Sequence, residues 1–94
     1  MLGIIKNEIG PIFKGKNYKV VKKLAGRGDN IPAHNHLGED VVFSLIKGNV
    51  IVRLNEKEDY NLKQGDVLNF NGENTISVDF IEDSEIVIVL VENK

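Results

Sequence analysis

The apolar residues of this chain are dominated by β-branched side chains. Valine and isoleucine each occur eleven times among 94 residues, whereas alanine occurs only twice. Because β-branched side chains lose χ1 freedom in a helix and pack well on a pleated surface, this bias favours strands over helices. No window of useful length has the 3.6-residue apolar period of an amphipathic helix. We therefore expect an all-β fold.

Six segments have the length and composition of strands, and short turns rich in Gly, Asn, Asp and Lys separate most of them. They are Tyr18–Leu24, Val41–Ile46, Val50–Leu54, Asp66–Phe70, Thr75–Ile81 and Glu85–Glu92. Several short strands with regular turns predict a sandwich or barrel. A chain of 94 residues has room for one core. We expect a single domain over residues 1–94, with an N-terminal strand segment at about 1–17 and a barrel at about 18–92.

Alternation within the strands predicts which side chains face the interior. The predicted inner sets are Val41, Phe43 and Leu45, then Val50, Val52 and Leu54, then Ile76, Val78 and Phe80. The last strand differs, because Ile86–Val91 is apolar on both faces and needs cover on both. The barrel interior provides one cover. The other must come from the N-terminal segment of the same chain or from a second subunit.

Charge and cysteine content exclude several classes of function. Twelve basic and fourteen acidic residues give a net charge of −2, so no basic footprint for nucleic acid is present. The absence of cysteine excludes disulfides, thiolate metal sites and a cysteine nucleophile. No segment approaches the about 18 apolar residues of a membrane span, and the start of the chain lacks a leader pattern. We expect a cytoplasmic protein without nucleic-acid or membrane partners.

The chain contains only two histidines, at positions 34 and 36. In an extended segment, residues i and i+2 point to the same side, so the two imidazoles can converge on one ligand. Neutral imidazole nitrogen is a ligand for Zn, Fe, Ni and Cu. His34 and His36 are therefore the candidate metal ligands. The alternative is a pair of pocket histidines that hold hydrogen bonds rather than a metal.

Around these histidines the sequence resembles the cupin superfamily. The segment from Gly28 through His34 and His36 to Gly48 resembles the first cupin motif, G-x5-H-x-H-x(3–4)-E-x6-G. The segment Leu62–Leu68, with its Gly65-Asp66 pair, resembles the opening of the second motif. The resemblance covers roughly residues 20–91. It implies a double-stranded β-helix, a small antiparallel barrel or jelly roll with a central pocket.

The resemblance also implies which metal ligands are missing. The family's glutamate falls on Val41, and its third histidine falls on Ile76, so two of four ligand positions carry aliphatic side chains. Glu39 has the strand parity of Val41 but lies about 7 Å further along the strand, and Asp40 has the opposite parity. Either is at best a candidate third ligand. We expect at most a weakly bound divalent metal: Zn, Fe, Ni or Mn.

Three functions fit these residues. The first is a small stand-alone cupin-like protein that binds an unidentified small molecule, with no catalytic residue and no full metal site. The second is a metal-dependent cupin enzyme, of dioxygenase or isomerase type, that uses His34 and His36. The third is a structural or interaction module that acts through its dimer surface. For the first, the predicted pocket lining is Val41, Phe43, Val52, Ile76 and Val78.

The outward-facing apolar residues predict a homodimer. They are Val42, Ile46, Ile51 and one face of Ile86–Val91, together with Leu2, Ile4 and Ile5 of the N-terminal segment. Left exposed, such residues would form a larger apolar patch than soluble monomers usually tolerate. The alternative is that the N-terminal residues fold back over the last strand of their own chain.

Overall fold

The computed structural model describes residues 2–93, and this part of the chain forms nine β-strands and no helix. The strands are β1 (Gly10–Lys14), β2 (Tyr18–Ala25), β3 (Asn30–His34), β4 (Glu39–Lys47), β5 (Asn49–Leu54), β6 (Glu58–Lys63), β7 (Val67–Asn71), β8 (Ile76–Phe80) and β9 (Ser84–Glu92). The all-β prediction is therefore confirmed. None of the described segments forms a helix with the length and hydropathy of a membrane span.

The strands form two antiparallel sheets. The first has five strands in the order β1-β2-β9-β4-β7, and the second has four in the order β3-β8-β5-β6. From β4 onward the chain crosses repeatedly between them, because β4, β7 and β9 belong to the first sheet and β5, β6 and β8 to the second. This alternation brings residues that are distant in sequence onto the two facing inner surfaces.

The core lies between the two sheets and consists of the inner sets that alternation predicts. Phe43, Leu45, Val50, Val52 and Ile86 have no exposed surface. The other buried members of the cluster are Val41, Leu54, Leu62, Phe70, Ile76, Val78, Phe80 and Leu90. Each predicted inner set is buried, so the assignment of faces on β4, β5 and β8 is confirmed.

The structure adds strands that the six predicted segments lack. β6 contains mainly polar and charged residues, and within it only Leu62 is buried. It forms a hairpin with β5, whose strong apolar pattern supplies the inner face. β1 lies within the N-terminal segment and pairs with β2, and β3 carries His34 at its last position. The two prolines of the chain, Pro11 and Pro32, lie in β1 and β3, which are edge strands of the two sheets.

A single residue, Gly48, joins β4 to β5. Its φ angle is +106°, which side-chain-bearing residues rarely adopt. A Cβ at this position would also overlap the side chain of Ser84 and the carbonyl oxygen of Asp83. Glycine is therefore required for the chain to pass directly from the five-stranded sheet into the four-stranded sheet. This connection places Val50 and Val52 opposite the inner face of β4.

The outward-facing apolar residues divide between the two sides of the molecule. Val42 and Ile46 lie on the outer face of the five-stranded sheet, beside the outward-facing valines of β9. Ile51 lies on the outer face of the other sheet, paired with Asn61 and Asp79. The predicted outward set is therefore not one patch. Only the five-stranded sheet has an extended apolar outer face.

Candidate functional site

The two histidines lie side by side where β3 ends. His34 is the last residue of β3, and His36 follows in irregular backbone before the Leu37-Gly38 turn. Their Nε2 atoms are 3.1 Å apart, and the rings meet edge to face with centroids separated by 4.8 Å. The predicted convergence of the imidazoles is present, although only His34 belongs to a strand.

Hydrogen bonding fixes the proton positions on the neutral imidazoles. His34 Nδ1 is 2.9 Å from the carbonyl oxygen of Pro32, which can only accept, so Nδ1 carries the proton. His34 Nε2 then has a free lone pair, and it accepts a hydrogen bond from His36 Nε2–H. For both Nε2 atoms to face a cation, His36 has to move its proton to Nδ1. The pair is therefore a hydrogen-bonded unit in which His36 Nδ1 is the ring nitrogen that keeps a free lone pair.

Burial and nearby charges lower the pKa of His36 below its ordinary value of 6.5. Desolvation is the largest cause, and repulsion from His34 is the second. The Glu39 carboxylate opposes the shift, whereas Lys19 adds to it. Glu39 Oε1 lies 3.8 Å from His36 Nδ1, which is too long for a hydrogen bond. His36 is therefore held neutral near pH 7 and is available as a donor or acceptor.

Gly72 holds the segment that carries His36 in place. The His36 N–H donates to the Gly72 carbonyl at 2.8 Å, and the Gly72 N–H donates to the Glu39 carbonyl at 2.8 Å. A Cβ on Gly72 would overlap the carbonyl oxygens of both His36 and Glu39. The turn between β7 and β8 is thus wedged against the segment from His36 to Glu39. The sequence shows Gly72 only as a turn residue, because the close approach is a tertiary contact.

The donor set for a metal is short of ligands. Asp40 faces the outer side of its sheet, where its Oδ1 accepts a hydrogen bond from Asn93 Nδ2 at 3.0 Å. Ile76 pairs directly with His34 across β3 and β8, and Val41 lines the same cavity as the imidazoles. Among residues 2–93, no group of three or more His, Cys, Asp or Glu side chains is placed to hold a metal ion. The residues present do not fit the four-ligand site that the family resemblance implies.

The imidazoles border a cavity of about 200 Å³ between the two sheets. Eight of its eleven lining residues are apolar, and the remaining three are Lys23, His34 and His36. The five-stranded sheet contributes Val21, Val41, Phe43, Ile88 and Leu90. The four-stranded sheet contributes Ile31, Ile76 and Val78. Apolar walls with a few convergent polar groups are typical of small-molecule sites, and this cavity is smaller than the about 300–1,000 Å³ of sites for drug-sized ligands.

Four of the five predicted lining residues, Val41, Phe43, Ile76 and Val78, border this cavity. Val52 is not among the residues that line it. Val52 is fully buried and pairs with Tyr60 and Val78, so it lies within packed core rather than at the cavity wall.

The sequence does not identify Lys23 as a cavity residue, because the Lys-rich pattern of β2 does not show which face of the strand turns inward. The pairing of β2 with β9 shows which face this is. Lys23 pairs with the buried Ile86, and Val21 pairs with Ile88.

The strand order and the crossing between two antiparallel sheets define the cupin class of fold, and the histidine pair borders the space between the sheets. The chain has the double-stranded β-helix fold of the cupins, as the motif resemblance implies. Solved cupin structures superpose on nearly all of it.

One similar structure is an RmlC-like cupin family protein with a double-stranded β-helix fold from Methanocaldococcus jannaschii. Its TM-score is 0.82 at 17% identity, with 98% of this chain and 93% of that chain covered. An RmlC-like cupin protein from Desulfovibrio desulfuricans gives a TM-score of 0.81 at 14% identity, with 97% of this chain and 92% of that chain covered. KdgF from Halomonas sp. gives a TM-score of 0.80 at 20% identity, with 89% of this chain and 78% of that chain covered. No protein-family model matches the sequence, and no curated protein matches it.

The lowered pKa of His36 makes stability pH-dependent. Below about pH 6.5 the unfolded chain binds a proton at His36 more readily than the folded chain, so the free energy of unfolding falls as the pH falls. We expect the urea midpoint of metal-free protein to decrease between pH 7.5 and 5.5, and to decrease less in His36→Gln. An equal decrease of the urea midpoint in both proteins would contradict a lowered pKa of His36.

The missing ligands can be restored at Val41 and Ile76. We expect wild-type protein to bind Zn²⁺ or Ni²⁺ weakly, and Val41→Glu with Ile76→His to bind several orders of magnitude more tightly, because each new ligand replaces a water. Isothermal titration calorimetry measures both. The matched control is Val42→Glu with Ser77→His, which places the same groups on the outer faces. Unchanged affinity in the first pair would mean that these positions do not face the imidazoles.

Proposed function

We propose that this chain is a cytoplasmic small-molecule-binding protein whose ligand occupies the cavity beside His34 and His36. The cavity itself carries the proposal: about 200 Å³ of space lies between the sheets at the imidazole end, while the rest of the interior is packed with the chain's own side chains. Its apolar walls favour an apolar ligand body through the hydrophobic effect. The free lone pair of His36 Nδ1 is the polar group of the imidazole pair that can orient a ligand.

The alternatives have less support. A metal-dependent enzyme needs a third and fourth ligand, and the positions that the family uses are occupied here by Val41 and Ile76. A module that acts only through its surface has no need of an open interior. The imidazoles satisfy each other without any metal, because His34 Nε2 accepts from His36 Nε2–H, and His36 Nδ1 keeps a lone pair that can accept from a ligand.

A fragment screen tests this proposal. We expect small apolar fragments to bind metal-free protein and to shift the NMR resonances of residues around the cavity. Val21→Phe fills the cavity from β2 and should weaken binding at least about tenfold, since it removes the apolar volume that the fragment occupies. Ile51→Phe adds the same ring on the outer face of the other sheet and serves as the control. Fragments that bind elsewhere, or binding that Val21→Phe leaves unchanged, would overturn the proposal.

The protein also has a surface suited to a second copy of itself. The outer face of the five-stranded sheet carries Val20, Val42, Val87, Val89 and Val91 side by side. The apolar side chains of the N-terminal segment do not pack against the sheet of their own chain, because Leu2 and Ile5 are almost fully exposed and Ile4 is 67% exposed. Its contacts with the sheet are peripheral: Asn7 Oδ1 accepts a hydrogen bond from Lys22, and Lys6 lies over the ring of Phe13.

We infer that a second copy covers this face and the exposed N-terminal side chains. A standard interface buries about 800 Å² per partner, and an apolar sheet face with an extended segment beside it can supply that area. At about 25 cal/mol per Å² of apolar area, the gain is comparable to the cost of association. The ion pair of Lys22 with Glu85, at 3.2 Å, lies on the same face and neutralises the charge that would oppose the contact.

The oligomeric state tests the dimer. Light scattering after size exclusion should give about twice the 10.5 kDa mass of the chain, and Val89→Lys should return it to the mass of one chain. The matched control is Ile51→Lys on the opposite sheet, which should leave the dimer intact. A wild-type mass of one chain at tens of micromolar would overturn this proposal, while binding in the cavity would be unaffected.

A further inference from the structure

The cavity lining carries a positive charge and no carboxylate. Among the described residues that line it, Lys23 is the one with a formal charge at neutral pH, and the other two polar residues are the imidazoles. This is notable in a chain whose net charge is −2. The charge at the cavity is therefore opposite in sign to the charge of the molecule as a whole.

The ammonium of Lys23 has no ion-pair partner in the part of the chain that the structure describes. Among residues 2–93, no carboxylate lies within 4 Å of it, whereas the neighbouring Lys22 pairs with Glu85 on the outer face. Asp29 lines an adjoining surface depression together with Lys23, and its carboxylate accepts the Gly26 N–H at 2.8 Å. Lys23 therefore presents a positive charge without a direct ion pair at the border of an apolar cavity.

The second inward-directed lysine of β2 is in a different position. Lys19 pairs with Leu90, two inward positions before Lys23, and it shares a depression with Glu39 and Glu92. Lys19 does not line the cavity, whereas Lys23 does. The charged group of the cavity lining therefore lies on β2, and His34 lies on the opposing sheet.

We propose that the ligand is a small amphiphilic anion, a compound with an apolar body and one carboxylate. This inference rests on the proposed function, because it names the chemical class of the ligand in the same cavity. The apolar body occupies the space between Val21, Val41, Ile76 and Ile88, and the carboxylate accepts from the Lys23 ammonium. The lysine provides the charge, and the rings of His34 and His36 border the same cavity.

Three compounds of one size and different charge test this assignment: hexanoate, hexanamide and hexylamine. With metal-free protein at pH 7.5, we expect hexanoate to bind about fivefold more tightly than hexanamide, as for an exposed ion pair. Hexylamine should bind most weakly, because its ammonium meets the charge of Lys23. The preference for hexanoate should decrease as salt is added, since salt screens exposed charges.

Variants locate the charge. Lys23→Gln should abolish the preference for hexanoate over hexanamide, and Lys23→Arg should retain it. Lys63→Gln makes the same change of net charge at an exposed position on the outer side of β6 and should retain the preference. Lys23 is exposed, so its replacement is not expected to disturb folding. Equal affinities for the three compounds, or an unchanged preference in Lys23→Gln, would overturn the inference.

The failure of this inference is distinguishable from the failure of the proposed function. Suppose that apolar fragments bind in the cavity and that Val21→Phe weakens their binding, but that hexanoate binds no more tightly than hexanamide. The cavity then binds ligands of another class, and only the inference is wrong. If neither fragments nor hexanoate bind there, the proposed function is wrong as well.

Discussion

One layer of interdigitated apolar side chains between the two sheets determines the geometry of the whole molecule. Phe43, Leu45 and Ile86 from one sheet meet Val50 and Val52 from the other, and none of the five is exposed. Because a one-residue slip would turn the whole inner set of a strand out to water, this packing fixes strand register. The pairing of His34 with Ile76 follows from that register. The imidazoles therefore depend on a core to which they do not themselves belong.

The cavity exists where this layer is incomplete. At the imidazole end the interior is bordered by Val21, Ile31 and Val41, whose side chains do not meet across the gap. Two inner faces that fit along most of their length but not at one end leave a cavity with apolar walls and polar side chains at its border. The space for a ligand is the part of the interior that side chains do not fill, whereas stability comes from the part in which they are packed. These two parts of the interior lie beside each other.

Much of this arrangement could be predicted from the sequence. Period-two alternation revealed the inner faces of β4, β5 and β8, and the spacing of glycines and histidines indicated the cupin fold. β6 could not be predicted in the same way, since its residues are mostly charged and its pairing partner supplies the apolar pattern. The positions of Lys23 and Val52 relative to the cavity depend on the register between strands, which a single sequence does not contain. The role of Gly72 depends on a contact between two turns that are distant in sequence.

The placement of the two prolines has a consequence for how copies of this chain can associate. Pro11 lies on one edge of the five-stranded sheet, and Pro32 lies on one edge of the four-stranded sheet. A proline offers no N–H to an incoming strand, so it interrupts the ladder that a neighbouring edge would need. Each proline therefore weakens one edge of its sheet as a docking site for another strand, and the proline-free edges are β7 and β6. In an all-β chain rich in valine and isoleucine, edge-to-edge pairing is thereby disfavoured at β1 and β3, while the broad outer face stays open for contact.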